Sequence, residues 1–337
     1  MTLLIGYDEV VANCDMAALI ATIEDGLRQE AAGELAMPPR QNIPMKYGLL
    51  RVMPVAMNGS GLFGWKIFHT STTGARYLVA VYEQEGGELL ALVDGDYLTA
   101  ARTGATAGVA AKYMAREDAK VVGVIGAGVE ARTNFAAIAA VRDVERALVF
   151  SPREARREAL AEEIRSRYGI EAEAVDRPEA AVADVDIAVV ATNTMNAPDP
   201  IAYRGQWAKP GLHISSIGAT MPILRELDAH TFARADRVVV DAPAQMEDEC
   251  GDVIAALEEG VYGEPLALSA VVAGETVGRE DPDQITLFKS VGTAMQDVVA
   301  ALAVYETMRS RGEGESFDLL HLKAFDQPMN LAERASR

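Results

Sequence analysis

The chain has 337 residues, half of them apolar, which is more than one compact core usually needs and favours two domains that share a cleft. Its 50 acidic residues outnumber its 31 basic ones, and the resulting net charge of -19 disfavours binding to nucleic acid or to anionic membranes. Two cysteines are too few for a disulfide framework, and there is neither a cationic start nor an apolar run of roughly 20 residues, so we expect a cytoplasmic protein with buried free thiols and no membrane segment.

The first hundred residues predict a helix followed by an antiparallel sheet. A helical pattern covers 16–32, and four apolar runs follow it at 47–57, 61–70, 75–84 and 88–97. The separators NGSG and EGGE are rich in glycine, which is typical of hairpin turns, so we expect these runs to pair with one another. Because apolar strands of this kind need a partner to avoid an exposed edge, we also expect a homodimer.

Two helices are expected to connect this sheet to a second domain. Thr99 is predicted to cap a helix through AARTGATAGVAAKYMA, and a helix from about Thr293 to Arg309 is predicted to return to the first domain. The tail from Ser310 is either a solvated arm or an extension that clasps a partner, and its richness in Arg, Gly and Glu favours the solvated arm.

A glycine turn follows the first of these helices. The run 121–125 is apolar and rich in β-branched residues, which is typical of a parallel strand covered on both faces. Gly126, Gly128 and Ala131 come next as G-x-G-x-x-A. The first glycine permits a tight turn, the second lets the backbone approach a pyrophosphate, and the small third residue lets the helix pack on the strand. The amides of that helix then face the phosphates of a dinucleotide.

The alternation of strand and helix continues after this turn. Further strand candidates cover 146–150, 170–175, 186–192, 213–218 and 237–241. This repetition predicts an α/β fold class, with a doubly wound Rossmann domain plus an antiparallel sheet domain. The predicted boundaries are 117–292 for the Rossmann domain and 1–116 with 293–337 for the sheet domain. A flavodoxin-like layer that binds no dinucleotide is the alternative.

The end of the second Rossmann strand bears on the choice of cofactor. NAD-preferring domains usually place an acidic residue there, about 20 residues past the glycines, to bind the ribose hydroxyls. Here the position holds Ser151, and Arg153 follows closely. A hydroxyl and a guanidinium can bind a 2′-phosphate that a carboxylate would repel, so we expect NADP(H) to be preferred, with NAD(H) possible. The alternative is that this arginine and its neighbours only pair with Glu154 and Glu158.

Other chemistries find little support. The four histidines lack the spacing of a metal site, and we expect no metal. Ser215 and Ser216 lack the G-x-S-x-G frame of a nucleophile elbow. We expect His213 to be a packed strand residue rather than a base, and MEDEC at 246–250 to be a solvated helical turn.

Seven motifs occur in order along the chain: PPRQNIP, WKIF, LTAARTGATAG, VIGAGVEA, ATN, SIGAT followed by RELD, and DQITLFKSVGTAMQD. On these motifs, which span nearly the whole chain, the sequence resembles the ornithine cyclodeaminase and mu-crystallin superfamily. The resemblance implies a Rossmann domain plus a sheet domain that binds substrate and pairs with its twin in a homodimer.

The resemblance also implies which residues form the site. Arg40, Lys66 and Arg102 would bind the carboxylate of a small amino or imino acid. We predict that Thr220 and Val291 also contact the substrate, and that Lys66, as the catalytic residue, or a bound water keeps the imine nitrogen protonated. The predicted cofactor residues are Arg102, Gly126, Gly128, Val129, Glu130, Ala131, Ser151, Arg153, Thr192, Ile217, Gly218 and Ser290. Taken without the resemblance, Arg102 fits a solvated helix face and Lys66 fits the surface of a hairpin.

One segment departs from the cyclodeaminase pattern. Cyclodeaminases carry an aspartate where this chain has Thr220 and a lysine where it has Leu224. A threonine hydroxyl is no general base near neutral pH, so a deaminating cyclisation of the ornithine cyclodeaminase type loses support. We therefore predict an NAD(P)H-dependent oxidoreductase that acts on the C=N/CH–NH bond of a small imino or amino acid, either a ketimine reductase or an L-amino-acid dehydrogenase. A crystallin-like protein that binds NADPH without turnover is the competing hypothesis.

Overall fold

The structure of the chain is a computed structural model that describes residues 1–322, and residues 323–337 lie outside the described part. The elements that precede the glycine turn are β1 (Thr2–Ile5), α1 (Tyr7–Asn13), α2 (Met16–Ala31), β2 (Leu35–Ala36), β3 (Gln41–Met45), β4 (Gly48–Met57), β5 (Leu62–Ser71), β6 (Gly74–Glu83), β7 (Leu89–Asp94) and α3 (Asp96–Met114).

The remaining elements begin with the strand that enters the glycine turn. The first of them are β8 (Val121–Ile125), α4 (Val129–Val141), β9 (Arg146–Phe150), α5 (Glu154–Tyr168), β10 (Glu171–Val175), α6 (Pro178–Val182), β11 (Ile187–Val190) and β12 (His213–Ser216). They are followed by α7 (Ala229–Arg234), β13 (Arg237–Val240), α8 (Pro243–Glu249), α9 (Gly251–Glu258), β14 (Leu266–Ala267), α10 (Leu268–Val272), β15 (Thr286–Lys289), α11 (Ala294–Arg311) and β16 (Glu315–Phe317).

The first sheet has the strand order β16-β1-β7-β6-β5-β4-β2, and β3 pairs with β4. Strands β4 to β7 form the antiparallel hairpins that the sequence predicts. The sequence pattern misses β1, which lies parallel to β7, and β16, which pairs antiparallel with β1. Residues 315–317 of the tail predicted to be a solvated arm are exposed, but their backbone pairs with β1 and completes the edge of this sheet. The end of that tail, from residue 323, lies outside the described residues.

The second sheet is parallel throughout, with the order β10-β9-β8-β11-β12-β15-β13-β14. The chain runs outward from β8 to β10 on one side and then crosses to β11 on the other. This reversal between β8 and β11 is the topological switch point, where doubly wound sheets bind ligands at the carboxyl ends of their strands. The predicted Rossmann sheet is thus confirmed, although the pattern does not identify β15 and β14. The domain boundaries at 116 and 293 stay a prediction.

The two connecting helices are present, but one begins earlier than predicted. α3 starts at Asp96 after Gly95, and the hydroxyl of Thr99 donates to the Gly95 carbonyl at 2.5 Å within the first turn. The prediction that Thr99 caps this helix is wrong because the chain already turns at the glycine, and Asp96 suits the positive end of the helix. α11 follows Thr293, whose hydroxyl accepts from the amide of Gln296, as a capping residue does.

α3 is buried along most of its length and lies against α4. A Cβ added to Gly104 would lie 2.5 Å from the backbone of Thr133, and one added to Gly108 would lie 2.9 Å from the Cβ of Ala137. The small residues of α3 therefore allow a close approach that larger side chains would prevent. Neither this helix nor any other within residues 1–322 is long and apolar enough to cross a membrane.

Candidate active site

Two glycines shape the turn at the end of β8. Gly126 has a φ of 121°, and a Cβ added to it would lie 2.2 Å from the carbonyl oxygen of Ala191. A Cβ added to Gly128 would meet no protein atom within 4 Å, so the backbone is open on that side. The first amides of α4 have no acceptor within the helix, which makes this turn suited to a pyrophosphate. Ala131 is fully buried and packs α4 on the sheet.

The turn faces a cleft of about 850 Å³ between the parallel sheet and the inner face of the first sheet. Every predicted substrate or cofactor residue except Ala131 lines this cleft, namely Arg40, Lys66, Arg102, Gly126, Gly128, Val129, Glu130, Ser151, Arg153, Thr192, Ile217, Gly218, Thr220, Ser290 and Val291. The sequence does not single out four further lining residues of the first sheet, which are Arg51, Met53, Phe68 and Tyr77.

A buried carboxylate joins two of the predicted substrate cations. Asp297, in the first turn of α11, accepts hydrogen bonds from Lys66 Nζ at 3.0 Å and from Arg102 Nε at 2.9 Å. Gln296 accepts from Arg102 Nη1 at 2.8 Å. All of these side chains are buried, so the surface alternatives for Lys66 and Arg102 are wrong. Asp297 ends the last quoted motif, but only the fold shows that it lies beneath the two cations.

The third predicted substrate cation has a carboxylate of its own. Arg40 pairs with Glu249 and donates from Nη1 to the carbonyl of Val291 at 2.8 Å. Asn42 also donates to Glu249, at 3.3 Å. MEDEC is helical up to Glu249, as predicted, but the prediction that it is solvated is wrong for this residue because its carboxylate is largely buried against Arg40.

Burial shifts two titratable groups of the cleft towards neutrality. It lowers the pKa of Lys66 to about 8, although the charge of Asp297 opposes that shift. It raises the pKa of Glu130 to about 7, although the charges of Arg102 and Lys66 oppose that one. Both groups can therefore exchange protons near neutral pH, which is the property required of a general acid or base.

A buried aspartate holds the loop between β15 and α11. Asp241 accepts from the hydroxyl of Ser290 at 2.5 Å and from the amides of Val291 and Gly292 at 3.1 and 2.9 Å. It also accepts from Gln296 Nε2 at 3.0 Å. The loop that presents the Val291 carbonyl to the cleft is thus fixed to the parallel sheet.

A second buried acid fixes the loops after β11 and β12. Glu226 accepts from the amide and hydroxyl of Thr192 at 3.0 and 2.9 Å and from the amide of Gly218 at 2.6 Å. The ammonium group of Lys289 forms ion pairs with two buried acids. Its Nζ lies 3.3 Å from the carboxylate of Glu226 and 2.9 Å from that of Asp252. This network joins two predicted cofactor residues on neighbouring strands.

The far end of the cleft carries the residues predicted to select the cofactor. Ser151 is buried, while Arg153 and Arg156 are exposed and line the cleft. Within the described residues neither arginine forms an ion pair, whereas Arg157 lies 4.0 Å from Glu154 and donates to the carbonyl of Ser151. Of these three arginines, only Arg157 therefore fits the alternative that they pair with acidic residues of α5.

His213 and the two cysteines, to which the sequence analysis gives no catalytic role, do not line the cleft. His213 is fully buried with Nδ1 2.9 Å from the hydroxyl of Thr286, and burial lowers its pKa to about 3, so it is a neutral strand residue as predicted. Cys250 is buried, but Cys14 is only half-buried. In the part of the chain that the structure describes, no group of three or more His, Cys, Asp or Glu residues could hold a metal ion.

The fold and cleft define a Rossmann-type nucleotide-binding protein. Similarity to known proteins identifies the family to which it belongs. The ornithine cyclodeaminase/mu-crystallin family model matches residues 2–312. The Δ1-pyrroline-2-carboxylate reductase of Bacillus cereus is 33% identical over 304 residues, which cover 87% of this chain and 92% of that protein. The chain belongs to the ornithine cyclodeaminase/mu-crystallin family, which confirms the resemblance.

Two solved structures resemble this one over nearly the whole chain. The Δ1-pyrroline-2-carboxylate reductase of Thermococcus litoralis, in complex with NADH and L-proline, has a TM-score of 0.87 and 33% identity, covering 94% of this chain and 100% of that one. An archaeal alanine dehydrogenase dimer with bound NAD has a TM-score of 0.86 and 31% identity, covering 95% and 99%. Both are nicotinamide-cofactor structures with the same fold.

We predict that Asp297→Asn strongly destabilises the protein, because it leaves Lys66 and Arg102 buried without their countercharge. The expected loss in the free energy of unfolding is about 3–5 kcal/mol, measured by urea unfolding at neutral pH. Asp25→Asn is the matched control, since it breaks an exposed pair with Arg28 and should cost less than about 1 kcal/mol. Equal losses in the two variants would contradict a supporting role for the buried carboxylate.

Proposed function

We propose that the protein is an NAD(P)H-dependent oxidoreductase that reduces the C=N bond of a small imino acid and, in reverse, oxidises the corresponding L-amino acid. The observation that carries this proposal is the cation cluster of Arg40, Lys66 and Arg102, which lines the same cleft as the glycine turn at the switch point. The similarity to Δ1-pyrroline-2-carboxylate reductases and to alanine dehydrogenase supports the same reaction class.

The cations would bind the substrate carboxylate. A guanidinium binds a carboxylate through two parallel hydrogen bonds, and an ammonium adds a third donor. Because Asp297 and Glu249 fix these side chains, binding requires little reorganisation of the site. Holding the carboxylate restricts the imine to few orientations, which lowers the entropy cost of reaction.

The residues of the turn suit a dinucleotide. The first amides of α4 and the open backbone at Gly128 would hold the pyrophosphate, and the loops fixed by Glu226 would border the nicotinamide half. When bound, the nicotinamide cofactor supplies the hydride that adds to the carbon of the C=N bond.

Lys66 is the proposed proton donor to the imine nitrogen. With a pKa of about 8 it is protonated at neutral pH and loses its proton at modest cost, while Asp297 opposes complete loss of the charge. A protonated imine accepts hydride more readily than a neutral one. Thr220 lines the cleft at the position where cyclodeaminases have an aspartate, so no carboxylate can act as a base there.

Turnover tests this function directly. Purified protein should oxidise NADPH, followed by its absorbance, when given one of a panel of cyclic imines or 2-keto acids with ammonia. In Lys66→Met the value of kcat/KM should fall by about 10²–10⁴ because the acid is lost, and the wild-type rate should decline as the pH rises through about 8.

Lys46→Met serves as the control for charge removal, since Lys46 is exposed on the same domain and lies outside the cleft. Binding of NADPH without turnover of any substrate would instead support the crystallin-like hypothesis. Conversion of L-ornithine to L-proline with release of ammonia and no net change in cofactor would support cyclodeamination.

We also propose a preference for NADP(H), with NAD(H) still accepted, on the basis of Ser151 and of Arg153 and Arg156, which form no ion pair within residues 1–322. Arg153→Ala should weaken NADPH binding about tenfold while leaving NADH nearly unchanged, and Ser151→Asp should reverse the preference. Fluorescence titration with both cofactors measures this, and Arg167→Ala is the control at the exposed far end of α5. Equal losses for both cofactors in Arg153→Ala would show that the residue does not bind the 2′-phosphate.

We propose a homodimer formed through the outer face of the first sheet. Side chains alternate along β5, so Trp65 faces away from Lys66, and with Pro54 and Phe63 it lines a shallow apolar depression. The archaeal alanine dehydrogenase structure is a dimer, which supports this arrangement. Light scattering should give about twice the 36.0 kDa chain mass, and Trp65→Glu should lower it. A wild-type monomer at micromolar concentration would contradict the dimer.

A further inference from the structure

The cleft holds a fourth cation that the proposed mechanism does not use. Arg51 of β4 lines the cleft and is 6% exposed. Its Nε donates to Asn42 Oδ1 at 2.6 Å, and its guanidinium lies 5.2 Å from the ring centre of Phe68. Within residues 1–322 its two terminal amino groups have no hydrogen-bond acceptor, and no carboxylate forms an ion pair with it. Arg51 thus differs from the other three cleft cations, each of which has a carboxylate partner.

A buried arginine without a carboxylate partner is expected to bind an anionic ligand. Burial and the neighbouring charge of Arg40 lower the pKa of Arg51 to about 10, so the group remains protonated at neutral pH. Taking a charge out of water is costly unless it is paired, and here the groups in contact with Arg51 are a neutral amide oxygen and an aromatic ring, while the charge of Glu249 acts from beyond ion-pair distance. A ligand carboxylate would supply the missing charge through the same two-pronged contact that guanidinium groups prefer.

The position of Arg51 separates it from Lys66, one of the cations proposed to bind the first carboxylate. Arg51 pairs in register with Phe68, whereas Lys66 pairs with Met53 in the next row of the sheet, a step of about 7 Å along the strand. Arg51 and Lys66 contact the same aromatic ring, since Lys66 Nζ lies 5.6 Å from the ring centre of Phe68. The two cations therefore present separate donor groups along one wall of the cleft.

Asn42 fixes this second position. Its Oδ1 accepts from Arg51, and its Nδ2 donates to Glu249, the partner of Arg40. The side chain of Arg51 is therefore held by its inner nitrogen, which leaves the outer edge of the guanidinium for a ligand.

We propose that Arg51 binds a second carboxylate, so that the substrate is an α-imino dicarboxylic acid of four or five carbons and the product is an acidic L-amino acid. This inference rests on the proposed function of the site. The imine forms from a 2-keto dicarboxylic acid and ammonia with loss of water. NAD(P)H then gives hydride to the C=N carbon and becomes NAD(P)⁺, while the nitrogen takes a proton from Lys66.

The experiment compares substrates of matched chemistry that differ in the second carboxylate. Oxidation of NADPH is measured with oxaloacetate or 2-oxoglutarate plus ammonia, and with pyruvate plus ammonia or a monocarboxylic cyclic imine. Wild-type kcat/KM should be at least about tenfold higher for one dicarboxylic substrate. Arg51→Gln should lower that value about 100-fold and change the monocarboxylic values less than about threefold.

Two further variants separate charge from folding. Arg51→Lys keeps the charge but not the planar fork, so it should retain part of the dicarboxylic activity even if Arg51→Gln folds poorly. Arg76→Gln removes an exposed arginine from β6 of the same sheet, outside the cleft, and should leave the substrate preference unchanged. A wild-type preference for monocarboxylic substrates, or equal losses for both classes in Arg51→Gln, would overturn the inference.

A binding measurement distinguishes failure of this inference from failure of the proposed function. L-aspartate, L-glutamate and L-alanine are titrated by calorimetry into the wild-type and Arg51→Gln proteins loaded with oxidised cofactor. Tighter binding of an acidic amino acid that is lost in Arg51→Gln supports the second carboxylate site even if no substrate turns over. Equal affinity of the wild-type protein for all three amino acids would overturn it even if turnover is found.

Discussion

The candidate site depends on a single buried carboxylate. Asp297 on α11 accepts hydrogen bonds from Lys66 on β5 and Arg102 on α3, which come from elements 231 and 195 residues away. Without it, desolvation would favour exposure of both cations and loss of the proton from Lys66. The same contact holds the first sheet, the connecting helix and the returning helix at the distances that form the cleft. Stability and the placement of the reactive groups therefore have a common origin.

Buried acids act in the same way elsewhere along the cleft. Asp241 fixes the loop before α11, and Glu226 fixes the two loops that follow β11 and β12. Each accepts from backbone amides, so each determines the path of the main chain as well as the position of a side chain. Lys289 forms ion pairs with Glu226 and Asp252 in the core. The walls of the cleft are thus set by hydrogen bonds within the protein, which is the preorganisation that binding and catalysis require.

The sequence predicts those parts of the fold and site that depend on residues close together in the chain. The turn at Gly126 and Gly128 and the strands around it depend on residues next to one another, and so do the hairpins of the first sheet. The partners Asp297 and Glu249 could not be found in this way, because each lies more than 190 positions from the cation that it binds. β15 is equally hard to identify, since a four-residue strand that contains Lys289 has no distinctive apolar pattern.

The distribution of charge explains why the cleft suits anions although the chain carries a net charge of -19. Most basic residues at the surface pair with acids, and in the cleft the acids lie behind Lys66, Arg102 and Arg40, where they hold the cations without blocking their outer side. Two places depart from this balance. Within the described residues, Arg51 has no carboxylate partner at the substrate end, and Arg153 and Arg156 have none at the cofactor end. Because a buried cation without a countercharge is favourable only once an anion arrives, Arg51 marks a place where ligand charge is expected, whereas the exposed Arg153 is solvated and adds positive potential at the cofactor end.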